Sequence, residues 1–315
     1  MRPGRGLAWV GLLAFVIVAA GVSVVVGPGK LIWHTGSQAV TLRLLRLALG
    51  LLAGGVLSLV GASLQGLLRN PLVDPFTLGV SSGAAFGVTA LLALGMGSSL
   101  LQPVAGFAGA LVTIVAVYLL ARVRGRAGVT ALVLAGVIVS FLFSGLVMLL
   151  VVLSHRPLAQ AVWLLMGRLN VAFTRDSAWL FAGSAAVMLA GCGLLVSYSR
   201  DLDILSSSEE TARSLGVNAA RTTRAVFIVS SVLVGLVVAF TGAISFVGLV
   251  IPHIVRMLFG PRHRTVLPAS FLLGAGMLVL ADLGARLVVP GGLPLSIVTS
   301  LLGVPFFIYL LRTRL

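Results

Sequence analysis

Few residues in this chain could do chemistry, and their spacing rules out most kinds. The histidines, His34, His155, His253 and His263, are scattered and show no paired metal-ligand spacing. The one cysteine, Cys192, lies inside an apolar run, which excludes an internal disulfide and suits a small packed residue. Lys30 is the only lysine and no Walker lysine motif surrounds it, so the chain does not bind ATP through a phosphate loop. No Gly-x-Ser-x-Gly elbow and no Cys/His pair appear. One acid, Asp282, stands deep in an apolar run, four residues before Arg286. That spacing puts both on one helix face, where they can form an intramembrane ion pair. A proton-coupled carrier would usually need more intramembrane acids or histidines. No catalytic residue and no metal site are therefore expected. An ion-coupled secondary transporter is the alternative kept for a transport protein of this composition.

The elements that position these residues follow from composition. Of 315 residues, 59% are hydrophobic and only 9% charged, against about 25% charged in soluble domains. Such a chain cannot cover its surface with polar groups and needs a bilayer as solvent. Thirty-eight glycines fit close approach between membrane helices. The formal charge of +15 would suggest nucleic acid in a soluble protein. Here the arginines flank apolar runs, so they indicate topology and lipid headgroups, with no nucleic acid as partner.

Ten apolar runs are expected to span: Leu7–Val26, Leu42–Leu68, Phe76–Gly95, Leu100–Ala121, Val129–Leu153, Ser177–Ser199, Arg224–Ala243, Phe246–Phe259, Val266–Val289 and Pro294–Leu311. The first is about a full span long, so it is expected to be a retained helix and not a leader peptide. The eighth is short and carries Pro252 and Arg256. Leu158–Leu169 is too short to span and reads as a surface helix or re-entrant piece. With the N-terminus inside, fourteen cationic residues fall on the inner side and seven on the outer, which supports two cytoplasmic termini. The chain reads as one membrane domain over 1–315, with a single long polar stretch at 200–224. Within that stretch Ser206 or Ser207 with Glu209 or Glu210 fits a capping box, Gly216 can end a helix, and Asn218 can begin another. Two short cytoplasmic helices are expected there, the other reading being an ordinary solvated loop. The stretch Gly61-Ala62 to Asn70-Pro71 faintly echoes Gly242-Ala243 to Ile251-Pro252, which leaves an inverted repeat possible but not established.

Several separate motifs resemble one family. They include Arg43-Leu-Leu-Arg46, Gly-Ala-Ser-Leu-Gln-Gly-Leu-Leu-Arg-Asn70-Pro71-Leu72-Val-Asp74-Pro75 and Leu78-Gly79-Val80-Ser81-Ser-Gly83-Ala84. Further along come Glu209-Glu210-x-Ala212-Arg213-x-Leu215-Gly216, Gly242-Ala243-Ile244-x-Phe246-x-Gly248 through Pro252-His253, and Ala281-Asp282-x-x-Ala285-Arg286. Their order and spacing resemble the permeases of type II ABC importers for iron–siderophore, haem and vitamin B12, from about Arg43 to the C-terminus.

The resemblance implies an all-α fold of ten helices in the bacterial cytoplasmic (inner) membrane. It implies a pair of permeases, expected as a homodimer, with a path at their shared axis. Two ATP-binding cassette subunits would use ATP and Mg, and a periplasmic or lipid-anchored substrate-binding protein would deliver the chelate. This chain itself would bind no cofactor. Three sets of residues are carried over. Arg43, Arg46 and Arg286 would receive acids of the binding protein, the other reading being arginines that snorkel to the interface. Glu209, Glu210, Ala212, Arg213 and Gly216 would couple to the ATPase. Asn70, Leu72, Val129 and Thr130 would constrict the cytoplasmic mouth, the other reading being a proline turn. His253 is expected to pack or end a helix. Iron chelates, including haem, are the expected cargo, and vitamin B12 is not separated from them.

Overall fold

A bilayer offers backbone amides no partner, so each apolar run must close its hydrogen bonds internally as a helix. The computed structural model describes residues 4–26, 37–96, 98–123, 126–154, 166–169, 174–207, 212, 214–289 and 292–314. Among them are eleven α-helices: α1 (Gly4–Val25), α2 (Ser37–Leu67), α3 (Val80–Ala93), α4 (Leu101–Ala121), α5 (Val129–Leu153), α6 (Arg175–Ser197), α7 (Ser199–Leu205), α8 (Ala219–Thr241), α9 (Val247–Phe259), α10 (His263–Val288) and α11 (Leu295–Arg314). A hairpin of two-residue strands, β1 (Arg122–Val123) and β2 (Arg126–Ala127), turns the chain between α4 and α5. The ten expected runs coincide with ten of these helices, and α7 is the addition, inside the polar stretch. Most of the piece expected over Leu158–Leu169 lies outside the described residues, as do Glu209, Glu210 and Arg213.

Seven helices are long and apolar enough to cross a membrane, whereas α3, α9 and Leu295–Tyr309 of α11 are shorter. The run Phe76–Gly95 is the main departure from expectation. It divides into a 3-10 turn at Pro75–Leu78, a left-handed Gly79 (φ +78°), and the 14-residue α3. Pro75 favours the turn start, and a side chain at Gly79 would strike the Gly136 carbonyl of α5. At 1.5 Å per residue α3 and α9 are only about 20 Å long. Each is therefore too short to cross an apolar layer of about 30 Å by itself. Their starts meet, since Gly248 near the head of α9 packs against Pro75 and against Gly61 of α2. The two segments that echo each other in sequence thus cross at this point.

Antiparallel packing can be read from residue pairs. Along α2 and α10, Arg46 meets Asp282, Gly54 meets Gly274, and Gly66 meets His263. The steadily opposed numbers fix one register from end to end. Gly83 against Gly109 with Gly87 against Ala105 does the same for α3 and α4, and Gly106 against Ala239 with Ala110 against Gly235 for α4 and α8. In the buried α2, 78% of the apolar window is enclosed, against 17% in α1, so α2 is central and α1 peripheral. The outward apolar side chains of α1, α4 and α5, such as Leu7, Leu119 and Phe141, suit lipid tails.

Candidate functional site

Two ends of the bundle carry the singled-out residues. At the end where α2 begins, the Arg46 guanidinium grips the Asp282 carboxylate with a fork: Nη2 lies 2.7 Å from Oδ1, and Nε lies 3.0 Å from Oδ2. Arg286 Nε reaches the same carboxylate from within α10 at 3.0 Å. Its Nη2 donates to Ser23 Oγ of α1 at 2.8 Å. Arg43 Nη1 donates to Val24 O at 3.1 Å, meeting one of the carbonyls left over at the end of α1. One acid therefore serves two arginines, and the four side chains tie α1, α2 and α10 together. The side chains of Asp282 and Arg286 are buried, and that of Arg46 keeps 22% of its surface exposed. Arg286 faces inward, and the accessible positive charge of the cluster rests with Arg43 and Arg46.

The opposite end holds the remaining residues. Asn70 and Leu72 are exposed in the turn after α2, where Leu72 N donates to Asn70 Oδ1 at 2.9 Å. Val129 is half-buried and Thr130 exposed in the first turn of α5. The 3-10 turn that follows Asn70 and Leu72 rests on α5 at Gly136, so both segments belong to this end. In the polar stretch, Ala212 is fully buried, Gly216 is left-handed (φ +77°), and Val217 N donates to Ala212 O at 2.8 Å. Those features make a glycine-closed helix end. Asn218 then caps α8 by accepting from Arg221 N at 3.0 Å.

Around this turn lies a set of polar ties that sequence reasoning missed. Asp203 of α7 caps α10, accepting from His263 N at 2.8 Å and sitting 2.7 Å from His263 Nδ1. Asp201 accepts from Thr222 Oγ1 of α8 at 3.0 Å. Arg69 Nε donates to Leu205 O, the last carbonyl of α7, at 2.7 Å. Deeper, Gln65 Nε2 donates to Val73 O at 3.2 Å and Gly248 O at 3.3 Å, while Arg256 donates to Gln65 Oε1. Only local signals were available for these. Asp74-Pro75 is one, since an aspartate before a proline commonly caps a turn. Asp74 Oδ1 accepts from Phe76 N at 2.9 Å, and the carboxylate also takes the Phe246 N–H, which binds the two helix breaks together. Burial pushes this carboxyl up to about 6, against the pull of those two N–H groups.

Beside the breaks, a cavity of about 690 Å³ opens among α3, α4, α5 and the end of α8. Ser81, Ser82, Thr89, Gln102 and Ser144 give it hydroxyl and amide groups, Arg168 supplies a charge, and no acid or histidine is among its described lining residues. Arg168 is held there by its own backbone N–H, which donates to Thr241 O at 2.6 Å. His253 packs edge-on against Phe306, with ring centroids 6.0 Å apart. Cys192 is buried.

This layout, with two interrupted helix starts packed on α2 and distinct polar ends, has known counterparts. The FecCD transport family matches residues 11–313. The chain belongs to that family. It is 42% identical to the cobalamin import system permease protein BtuC of Halobacterium salinarum, over 87% of this chain and 73% of that one. It is 35% identical to the ferric enterobactin transport system permease protein FepD of Escherichia coli, over 98% and 96% of the two chains. A solved inward-facing conformation of a protein assigned to the metal-chelate type of ABC transporter superimposes with a TM-score of 0.85. That match has 34% identity and covers 96% of this chain and 97% of the other. The chain is thus a multi-pass membrane permease of an ABC importer with the type II fold, a transport subunit. Membership implies ATPase and substrate-binding partners and a pair of permeases, and it does not favour a secondary carrier.

Proposed function

We propose that two copies of this permease, driven by two separate ATPase subunits, pass a metal chelate from a binding protein into the cytoplasm. An iron–siderophore or haem is the favoured cargo, and vitamin B12 belongs to the same range. The carrying observation is the cavity beside the α3 and α9 breaks. It is large enough for a sizeable ligand, and its described lining residues offer hydroxyls without the acids or histidines that ion coupling needs. The names of the relatives support the chemical class. The arginine excess supports the sidedness: the end bearing Arg43 and Arg46 faces outward, both termini face the cytoplasm, and the membrane is the bacterial inner one.

Within this reading Arg43 and Arg46 receive carboxylates of the binding protein, while Arg286 backs them through Asp282. Glu209, Glu210, Ala212, Arg213 and Gly216, in the segment 200–224 of a single domain 1–315, seat in the ATPase. Buried Ala212 would anchor that segment and Gly216 would shape its turn. Asn70, Leu72, Val129 and Thr130 close the cytoplasmic mouth. The chain binds no cofactor, and ATP and Mg are used by the partner.

The test is reconstitution in proteoliposomes with the ATPase and binding protein of the same genome, offering haemin, a ferric hydroxamate and cyanocobalamin. ATP-dependent uptake of one of them is expected, together with loss of assembly or coupling in the Glu209→Ala/Glu210→Ala double variant. Uptake by the permease alone under an ion gradient would overturn the proposal.

A further inference from the structure

The turn that ends α2 contains an anomaly. Asn70 N donates to Gln65 O at 3.2 Å, and Arg69 N donates to Gly66 O at 3.4 Å. This pair of bonds closes a helix through a left-handed residue, a place that glycine usually takes. Gly216 takes it in the polar stretch. At the end of α2 the residue is Arg69, with φ +50°. A residue with a Cβ adopts this conformation at a cost that glycine avoids. Backbone strain of this kind directs attention to what the side chain does.

The Arg69 side chain reaches Leu205 O, the last carbonyl of α7, at 2.7 Å. Leu205 lies within the polar stretch and leads directly into its remainder, and Arg69 is followed at once by Asn70. Asp203 holds α7 on the head of α10, and Asp201 holds it on the head of α8. The short helix is therefore fixed to two long ones. The Arg69–Leu205 bond is the described tie from it to the turn carrying Asn70 and Leu72.

We infer that Arg69 is a positioning residue: a strut that carries displacement of the polar stretch to the turn at Asn70 and Leu72 inside one subunit. The inference deepens the proposed function, since it takes the polar stretch as the ATPase seat and that turn as the gate. A charge-assisted hydrogen bond suits the task, being stronger and more directional than a neutral one. Arginine is kept in a glycine position because glycine would make the turn without the strut.

Two measurements test this, and they fail separately. Spin labels at Leu72→Cys and Ser207→Cys, both exposed positions, report the spacing of turn and stretch in the permease alone in nanodiscs. Arg69→Gly is expected to broaden the distance distribution, and Arg69→Lys to restore part of its sharpness. An unchanged distribution in Arg69→Gly overturns the strut, because a residue needed only for the turn loses nothing on replacement by glycine. The second measurement uses the unlabelled permease in the full complex and takes uptake per ATP hydrolysed. Arg69→Gly is expected to lower that ratio about tenfold, as losing one charge-assisted bond would, while hydrolysis stays within about twofold. A parallel fall in hydrolysis and uptake, with the ratio preserved, also overturns the strut. If labels broaden but the wild-type complex takes up no chelate, the strut stands and the transport reading falls.

Discussion

Single residues carry sharp expectations because few charges lie inside the bundle. Asp282 serves both Arg46 and Arg286, so Asp282→Ala strands two guanidinium groups. Removing one partner of a buried pair costs about 3–5 kcal/mol, and the exposure of Arg46 places this case toward the lower figure. A fall in melting temperature in detergent larger than that of Arg43→Ala is expected, and equal shifts would show that the carboxylate is not the hub. Asp74 makes a pH prediction. Its carboxyl is raised from the usual 3.8 to about 6 by burial, so the fold prefers the protonated form. The stability it contributes is fully present below about pH 4 and lost as pH rises through about 6. Asp74→Asn, which keeps an acceptor for the Phe76 and Phe246 N–H groups, is expected to raise stability at pH 7.5 and to flatten the pH dependence between 4 and 6. A variant with the wild-type slope would sink this account.

At the scale of elements, the close approaches matter most. A Cβ on Gly61 would meet the Gly248 carbonyl at the crossing of α2 and α9. Overpacking there costs about 1–3 kcal/mol, so Gly61→Ala is expected to lower the melting temperature, whereas Gly11→Ala, with open space around it, is not. In the polar stretch, Gly216 has open space too, and only its left-handed backbone is at stake. Gly216→Ala is expected to lose about 1 kcal/mol locally, seen as faster amide exchange at Val217 than in Gly216→Asn. The helix positions were legible in the sequence because twenty apolar residues in a row have few other fates, and Gly216 and Asn218 carry their cap chemistry in their own types. The break in Phe76–Gly95 was not legible, because hydropathy runs unbroken across Gly79 and only contact with Gly136 makes the turn necessary. The fork of Arg46 on Asp282 was equally hidden, since the partners lie 236 positions apart. Asp282 with Arg286 was visible because four residues bring them onto one face.

For the whole molecule, sidedness is the expectation most open to direct measurement. On intact cells a membrane-impermeant maleimide is expected to label Ser98→Cys, between α3 and α4, and to leave Ser207→Cys untouched; the reverse pattern would invert the topology. The family was readable in the sequence because its motifs are spread along the chain, whereas the cavity appears only when two of those motifs, at Ser81 and Gly242, are brought together with α4 and α5. One consequence follows from the register of α2 and α10. These helices are matched from Arg46 with Asp282 to Gly66 with His263, about 30 Å at helical rise. They touch backbone to backbone midway at Gly54 and Gly274, and they are pinned together at one end by an ion cluster. Two helices so joined tilt as one lever. Any rocking about its waist carries the arginine end and the His263 end in opposite directions, so a mouth that widens on one side of the membrane narrows on the other.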